Sequence, residues 1–175
     1  MQQLFKVTIC LALTCSFISQ KSFAQTQERP YREPVGLNNW YVELGGAAFL
    51  YSLNYERILY KSTKLGWVGR VGFSYGFSSG RFLNKIDLKE NTVLSPFTTS
   101  LLLGSRERKE KLEIGGGFTL INSGINEQEI VPTAVFGFRV IETNKVCFRI
   151  SYTPFYRNNK MESWFGVSIG RNFEL

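Results

Sequence analysis

Six charged residues are the first candidates for chemistry in this 175-residue chain, because each lies in a segment that otherwise alternates apolar and small residues. A pair of carboxylates can act as general acid and general base. Three acids beside three bases can instead neutralise one another, and buried charges persist only when they are paired. The balance of signs favours a structural network of ion pairs. Its predicted members are Glu43, Glu56, Arg70, Glu113, Arg139 and Arg149.

Histidine is absent from the sequence, and its absence excludes several kinds of site. Ser-His-Asp/Glu and Cys-His arrangements both need an imidazole as base or orienting group. Cys10 and Cys15 fall in a segment that we expect to be removed, so Cys147 is the one thiol expected in the mature chain. A single thiol without histidine forms no intramolecular disulfide and lacks the usual nitrogen and sulfur ligands of zinc. We interpret Cys147 as a small packing residue.

Two glycine runs do not match nucleotide-binding loops. Gly45-Gly46 and Gly115-Gly116-Gly117 lack the GxGxxG spacing and a following Lys-Ser/Thr pair. We expect both runs to lie in strands, where glycine relieves crowding as a small sheet bends. The sequence therefore predicts no catalytic, cofactor or metal site, and we expect a protein that is not an enzyme.

The N-terminus has the features of a secretory signal peptide. Met1–Lys6 carries one cation, and Val7–Ile18 is an apolar stretch shorter than the roughly 20 residues of a membrane-spanning helix. Small residues at Ser22 and Ala24 predict cleavage between Ala24 and Gln25. A lipoprotein signal ending at Cys15 is the competing interpretation, but Ala12-Leu13-Thr14 departs from its usual pattern. The predicted organisation is a signal peptide over 1–24, a flexible periplasmic lead-in over 25–39 and one domain over 40–175.

The predicted domain consists of eight alternating segments, and period two is the signal of a β-strand. In the last segment, Phe165, Val167 and Ile169 face one side, while Gly166, Ser168 and Gly170 face the other. The second face of all eight segments contains Gly, Ser, Thr and Ala with the six charged residues, and no lysine falls near its middle. Small residues with balanced Arg and Glu suit a narrow, packed barrel interior, and several aromatic residues lie toward strand ends, as in membrane-interface belts. The first hairpin is short for two strands and a turn.

The links between segments alternate in length. Residues 60–64, 105–110 and 142–144 form short charged links, whereas 78–93, 122–130 and 157–163 are generally longer. Outer-membrane barrels have short turns on the periplasmic side and longer loops outside, so an even number of strands places both termini in the periplasm. Loops 78–93 and 122–130 are the predicted contact sites for a surface or envelope partner.

The last eight residues resemble the C-terminal insertion signal of Gram-negative outer-membrane barrels. Ser168, Gly170, Phe173 and Leu175 occupy its four specified positions, with a terminal Leu where Phe is commonest. Residues 40–175 resemble, in architecture, the small eight-stranded barrels of the OmpA/OmpX kind. The resemblance implies an all-β, closed, antiparallel, up-and-down transmembrane barrel in the cell outer membrane. It also implies contact with outer-membrane lipid, insertion by the barrel-assembly machinery and a lumen filled by side chains.

Three functional interpretations remain open at this point. The first is an outer-membrane barrel with a structural or surface-interaction role and a lumen plugged by the Arg/Glu network. The second is a secreted or periplasmic lipocalin-like barrel in which apolar side chains line a ligand pocket. The third is a barrel subunit of an envelope export or motility complex. The formal net charge of +7 is spread over predicted turns, so we expect no nucleic-acid partner. The pocket of the second interpretation would be lined by Phe73, Phe118, Phe136, Phe148 and Ile150.

Overall fold

The computed structural model describes residues 36–76, 80–82, 86–88, 91–123 and 128–174. The predicted signal peptide, the predicted cleavage site at Ala24 and Gln25, most of the lead-in and Leu175 lie outside the described residues. Within the described part, no helix is long and apolar enough to cross a bilayer. The strands are β1 (Asn38–Gly45), β2 (Tyr51–Lys61), β3 (Leu65–Gly76), β4 (Gly80–Phe82), β5 (Ile86–Leu88), β6 (Thr92–Leu103), β7 (Glu110–Asn122), β8 (Gln128–Ile141), β9 (Val146–Tyr152), β10 (Phe155–Arg157), β11 (Lys160–Glu162) and β12 (Phe165–Phe173).

Eight of these strands form a closed antiparallel barrel, which confirms the predicted fold class. Each barrel strand pairs with the next, and the pairing of β12 with β1 closes the ring. Strands β4 and β5 pair as a separate hairpin, while β10 and β11 extend the β9–β12 connection. In order around the ring, the barrel strands are β1, β2, β3, β6, β7, β8, β9 and β12.

The first hairpin forms despite its short length. Strand β1 begins at Asn38, two residues before the expected domain start, and pairs with β2 from Asn38↔Arg57 to Leu44↔Tyr51. The five residues between the two strands contain a single 3₁₀ turn at Gly46–Ala48. The two strands and their turn therefore fit because pairing starts earlier than the apolar pattern indicates.

The barrel has two different ends, which we name by their connections. The short-turn end has the turns 62–64, 104–109 and 142–145, together with the start of β1 and the end of β12. The opposite, long-loop end has the β1–β2, β3–β6, β7–β8 and β9–β12 connections. The β7–β8 connection is 123–127, shorter than the predicted 122–130, because the two strands stay paired up to Asn122↔Gln128.

The outer wall is apolar, whereas the middle of the inner face is small, polar or charged and its long-loop end also carries buried apolar side chains. Alternation along each strand places residues such as Val42 and Val167 outside and Glu43 and Ser168 inside. The apolar residues predicted to line a lipocalin-like pocket all point outward and are exposed, so they do not face the lumen, where such a pocket would lie. These are Phe73, Phe118, Phe136, Phe148 and Ile150.

Cysteine labelling tests which face is outside. In a Cys147→Ser background, we expect Ile150→Cys to react with a maleimide dissolved in the lipid or detergent phase, because Ile150 is 63% exposed on the wall. Val135→Cys is the matched control, because Val135 is 0% exposed and points inward, and it should react only after unfolding. Equal labelling of the two positions in the folded protein would contradict the assignment of faces.

Candidate functional site

Six charged side chains meet in the middle of the barrel. They come from six different barrel strands, and each is no more than 6% exposed. Each lies at an inward position of its strand, because alternation sends every second side chain into the lumen. In chain order they are Glu43 on β1, Glu56 on β2, Arg70 on β3, Glu113 on β7, Arg139 on β8 and Arg149 on β9. We call these six residues the charged layer.

Glu56 and Arg139 make the most complete contact of the charged layer. The Arg139 guanidinium donates from Nη1 to Glu56 Oε1 at 2.6 Å and from Nη2 to Glu56 Oε2 at 2.9 Å. This two-pronged geometry is the one for which a planar guanidinium is best suited. Because β2 and β8 are not neighbours in the barrel, the contact crosses the lumen.

Glu113 connects the three arginines. Its Oε1 accepts from Arg70 Nη2 at 2.6 Å, and its Oε2 accepts from Arg139 Nη2 at 2.7 Å. Arg149 Nη1 lies 3.6 Å from Glu113 Oε1, and Arg149 Nη2 also donates to Glu43. Arg70 additionally reaches Glu56 at 3.1 Å. The six charges therefore form one connected network.

Two of the arginines are direct cross-strand neighbours, Arg139 on β8 and Arg149 on β9. Like charges at opposed positions on adjacent strands destabilise a sheet unless other groups compensate. Glu113 approaches both guanidinium groups from β7, and Glu56 reaches Arg139 from across the lumen. The pairing of these strands thus relies on acids supplied by other strands.

Tyr41 belongs to this site, although the sequence analysis did not single it out. Its ring is buried, with the guanidinium carbons of Arg149 and Arg70 at 4.8 Å and 5.3 Å from the ring centre. These distances are those of cation–π contacts. Gly170 lies opposite Tyr41 on β12, and a β-carbon at Gly170 would overlap Tyr41. One feature of the sequence indicates this position: Tyr41 is two residues from Glu43, so the two side chains lie on the same, inward face of the strand.

The β1–β2 connection folds into the long-loop end of the lumen, which the sequence analysis did not foresee. We call its residues 46–50 the inserted loop. Gly45 ends β1 and Gly46 begins the 3₁₀ turn, both with positive φ (75° and 67°). The expectation that Gly45-Gly46 lies within a strand is therefore wrong for Gly46, because the chain turns inward there. A side chain at Gly46 would overlap the Glu43 carboxylate, so the inserted loop lies directly against the charged layer.

Phe49 anchors the inserted loop. Its φ is 69°, and the amide of Leu50 donates to the carbonyl of Ala48 at 2.8 Å, so Phe49 is the centre of a strained γ-turn. Such a conformation persists only where the surroundings hold it. Trp164 Nε1 donates to the Phe49 carbonyl at 3.0 Å, and Thr119 Oγ1 donates to the Ala47 carbonyl at 2.6 Å.

The ring of Phe49 packs in an apolar cluster that fills the long-loop end. Its ring centre is 4.7 Å from that of Phe155, and the Phe155 ring is 6.3 Å from that of Trp164. The sequence places Trp164 on the inward face, because it alternates with the outward Phe165. It does not indicate the contacts of Trp164 with Phe155 and with the Phe49 carbonyl. We call this set the apolar cluster, and its members are Phe49, Leu94, Ile121, Val131, Phe155 and Trp164.

The remaining residues singled out from the sequence occupy three places. Ser168 is buried on the inner face of β12, and Phe173 is half-buried at the strand end. Gly115-Gly116-Gly117 lies in β7, as predicted, where β-carbons at Gly115 and Gly117 would overlap the backbone of β6. Cys147 is buried on the inner face. Within the described residues, no group of three or more metal-ligating side chains is close enough to hold a metal.

Solved structures of outer-membrane proteins share this architecture. The backbone structure of Ail from Yersinia pestis, determined in a phospholipid bilayer nanodisc, matches with a TM-score of 0.54 and 8% identity, over 79% of this chain and 99% of Ail. The N-terminal β-barrel domain of Pseudomonas aeruginosa OprF matches with a TM-score of 0.50 and 14% identity, over 78% of this chain and 95% of that domain. The chain has the fold of the small eight-stranded outer-membrane barrels. No protein-family model and no curated protein sequence matches it.

The energetic role of the charged layer is testable with one pair of residues. Glu56→Gln or Arg139→Gln alone leaves the buried layer with one uncompensated charge, so we expect each to lower the free energy of unfolding by about 3–5 kcal/mol. Glu56→Gln/Arg139→Gln keeps the layer neutral and should cost clearly less than the sum of the two. Urea unfolding of the refolded protein in detergent, followed by tryptophan fluorescence, measures all three.

An exposed ion pair provides the matched control. Lys109 and Glu142 are paired at 2.9 Å but are 41% and 38% exposed, so Lys109→Gln should change stability by less than about 1 kcal/mol. If the two single variants in the charged layer were as mild as Lys109→Gln, the layer would contribute little to stability.

Proposed function

We propose that this protein resides in a bacterial outer membrane as a closed barrel with a structural or surface-interaction role, without transport or catalysis. The observation that carries the proposal is the distribution of side chains across the wall: large apolar side chains are exposed over the outside, whereas the buried charged side chains and most buried polar ones lie inside. A soluble barrel has the opposite arrangement, because water faces its outer surface.

Aromatic residues near both ends of the outer wall support the membrane location. Trp40, Tyr60 and Trp67 are exposed near the short-turn end, and Tyr51 and Phe165 are exposed near the long-loop end. Tyr51 and Tyr60 are nine residues apart on one strand, which at a tilt of about 40° corresponds to roughly 23 Å along the barrel axis. This height suits the apolar band of an outer-membrane barrel, about 25 Å.

Two groups of side chains, one above the other along the barrel axis, fill the lumen and support the absence of transport. The charged layer links β2 to β8 across the lumen, and the inserted loop with the apolar cluster occupies the long-loop end. An eight-stranded barrel has an interior only wide enough for side chains. We therefore assign the interior groups a structural task, namely to seal the barrel and hold its strands.

The proposal includes two interactions outside the barrel core. The β3–β6 connection and the β7–β8 connection, which correspond to the predicted loops 78–93 and 122–130, would contact a surface or envelope partner, because the connections at the long-loop end face away from the periplasm in this orientation. Insertion by the barrel-assembly machinery would use the C-terminal strand. Three residues of the predicted insertion signal, Ser168, Gly170 and Phe173, lie in this strand, β12.

Cell fractionation tests the membrane location. We expect the full-length protein to be recovered with the outer-membrane fraction and to migrate differently on a gel before and after heating, because a closed barrel resists detergent until it is boiled. Recovery as a soluble periplasmic protein without detergent would contradict the proposal.

Conductance in planar bilayers tests the closed lumen. We expect no steady conductance steps from the unaltered protein. Glu56→Ser/Arg139→Ser opens only the charged layer and Phe49→Ala/Trp164→Ala opens only the apolar cluster, so each should stay closed. The combined fourfold variant should conduct, since both fillings are reduced.

The matched control is Phe148→Ala/Ile150→Ala, which removes similar volume from the outer wall and should remain closed. Gel migration before and after heating establishes that each variant is folded. Steady steps from the unaltered protein would contradict the closed lumen, and a folded fourfold variant that stays closed would show that these two fillings are not the seal.

A further inference from the structure

The net charge of the mature barrel is concentrated at its short-turn end. Segments 57–64, 104–111, 142–145 and 171–174 carry nine cationic and four anionic residues. Segments 77–90, 123–130 and 157–163, toward the long-loop end, carry five of each. The charged layer is also balanced, with three of each sign. The barrel therefore presents an excess of five positive charges at one end only.

An open cleft of about 730 Å³ lies at this end, between the turn at 62–64 and the turn at 104–109. One side of the cleft is the outer wall, where Leu103, Leu112 and Phe138 are exposed. Lys64 and Arg108 line the cleft next to this apolar surface and are themselves exposed. The cleft therefore brings exposed cations next to the exposed apolar wall of the barrel.

The other charged groups of the cleft are Glu107, Glu110 and Lys111. Lys111 is buried, and its Nζ donates to the carbonyl of Ser105 at 2.6 Å, so it holds the turn rather than facing outward. The five charged side chains of the cleft sum to one positive charge, and this charge is that of Lys111, because Lys64 and Arg108 are balanced by Glu107 and Glu110. The wider excess of cations at this end of the barrel lies around the cleft. An anion that also has an apolar part fits it better than a purely polar anion.

Aromatic side chains place the same end at the depth of lipid headgroups. The rings of Trp40 and Tyr55 are 5.1 Å apart on the outer wall, and the Tyr55 hydroxyl donates to Asn38 Oδ1 at 2.6 Å. Exposed Arg57 lies two residues after Tyr55 on β2, and exposed Arg171 lies opposite Trp40 on β12. Aromatic rings of this kind favour the membrane–water interface, and nearby cations meet phosphates there.

We propose that the short-turn end binds anionic glycerophospholipids of the leaflet that it faces. Lys64 and Arg108 contact the headgroup phosphate, and the acyl chains lie along Leu103, Leu112 and Phe138. The inference rests on the proposed membrane location and adds a lipid preference to it. Phosphatidylglycerol, with its net negative headgroup, is the test lipid, and zwitterionic phosphatidylcholine is the reference.

Spin-labelled lipids measure this preference on the full-length protein reconstituted in phosphatidylcholine vesicles. We expect labelled phosphatidylglycerol to be immobilised at the protein about fivefold more strongly than labelled phosphatidylcholine, and salt near 1 M should reduce this preference. Lys64→Gln/Arg108→Gln should lower the preference at least twofold. The matched control, Lys85→Gln/Lys160→Gln, removes two charges from the long-loop connections and should leave it unchanged.

The outcomes separate the two proposals. A barrel that inserts into the vesicles, judged by its migration before and after heating, but selects neither lipid overturns the lipid proposal and leaves the membrane location intact. Failure to insert at all overturns both. Equal losses in the Lys64/Arg108 and control variants overturn the cleft as the site. If the protein binds soluble polyglutamate but selects neither lipid, the lipid proposal is wrong and the positive end binds an acidic polymer instead.

Discussion

The neutralisation of three glutamates by three arginines at the centre of the barrel is the interaction on which the rest of the structure depends. Removing an ion from water costs several kcal/mol, and this cost is offset only when partners and hydrogen bonds are in place. The contact between Glu56 and Arg139 crosses the lumen, and Glu113 bridges strands that do not pair with one another. The network is therefore complete only when the barrel is closed, and it ties barrel closure to side-chain pairing.

The residues around the network are small because the network needs the room. Gly170 lets β12 approach β1 at Tyr41, where a β-carbon would overlap the β-carbon of Tyr41, and Gly46 lets the inserted loop lie against the Glu43 carboxylate. The strained turn at Phe49 follows from the same geometry, since the chain must reverse within five residues and still bury an aromatic ring. The contacts of Trp164 and Thr119 with the loop carbonyls offset part of that strain.

The features with a strict period of two were predictable from the sequence, and the features that depend on distances across the lumen were not. Alternation placed Glu43, Arg70 and Arg149 on one face and Ile150 on the other, and the structure has the same assignment. Alternation places Tyr41 on the inner face but does not reveal its partners, and nothing local distinguishes Phe49, because the partners of both residues are on strands far away in the chain. Gly45-Gly46 was expected in a strand, since only the lumen reveals that the turn folds inward.

The difference between arginine and lysine shows how strictly the interior selects its cations. Among the described residues, the lysine buried in the lumen is Lys111, close to the short-turn mouth, where its ammonium donates to the carbonyls of Gly104 and Ser105. A compact ammonium group is well served by turn carbonyls, whereas two separate carboxylates need the flat, multi-pronged guanidinium. Arg139 meets both Glu56 and Glu113 in this way, which a lysine at that position would not match. The absence of lysine from the middle of the inner face is thus a consequence of the carboxylates there.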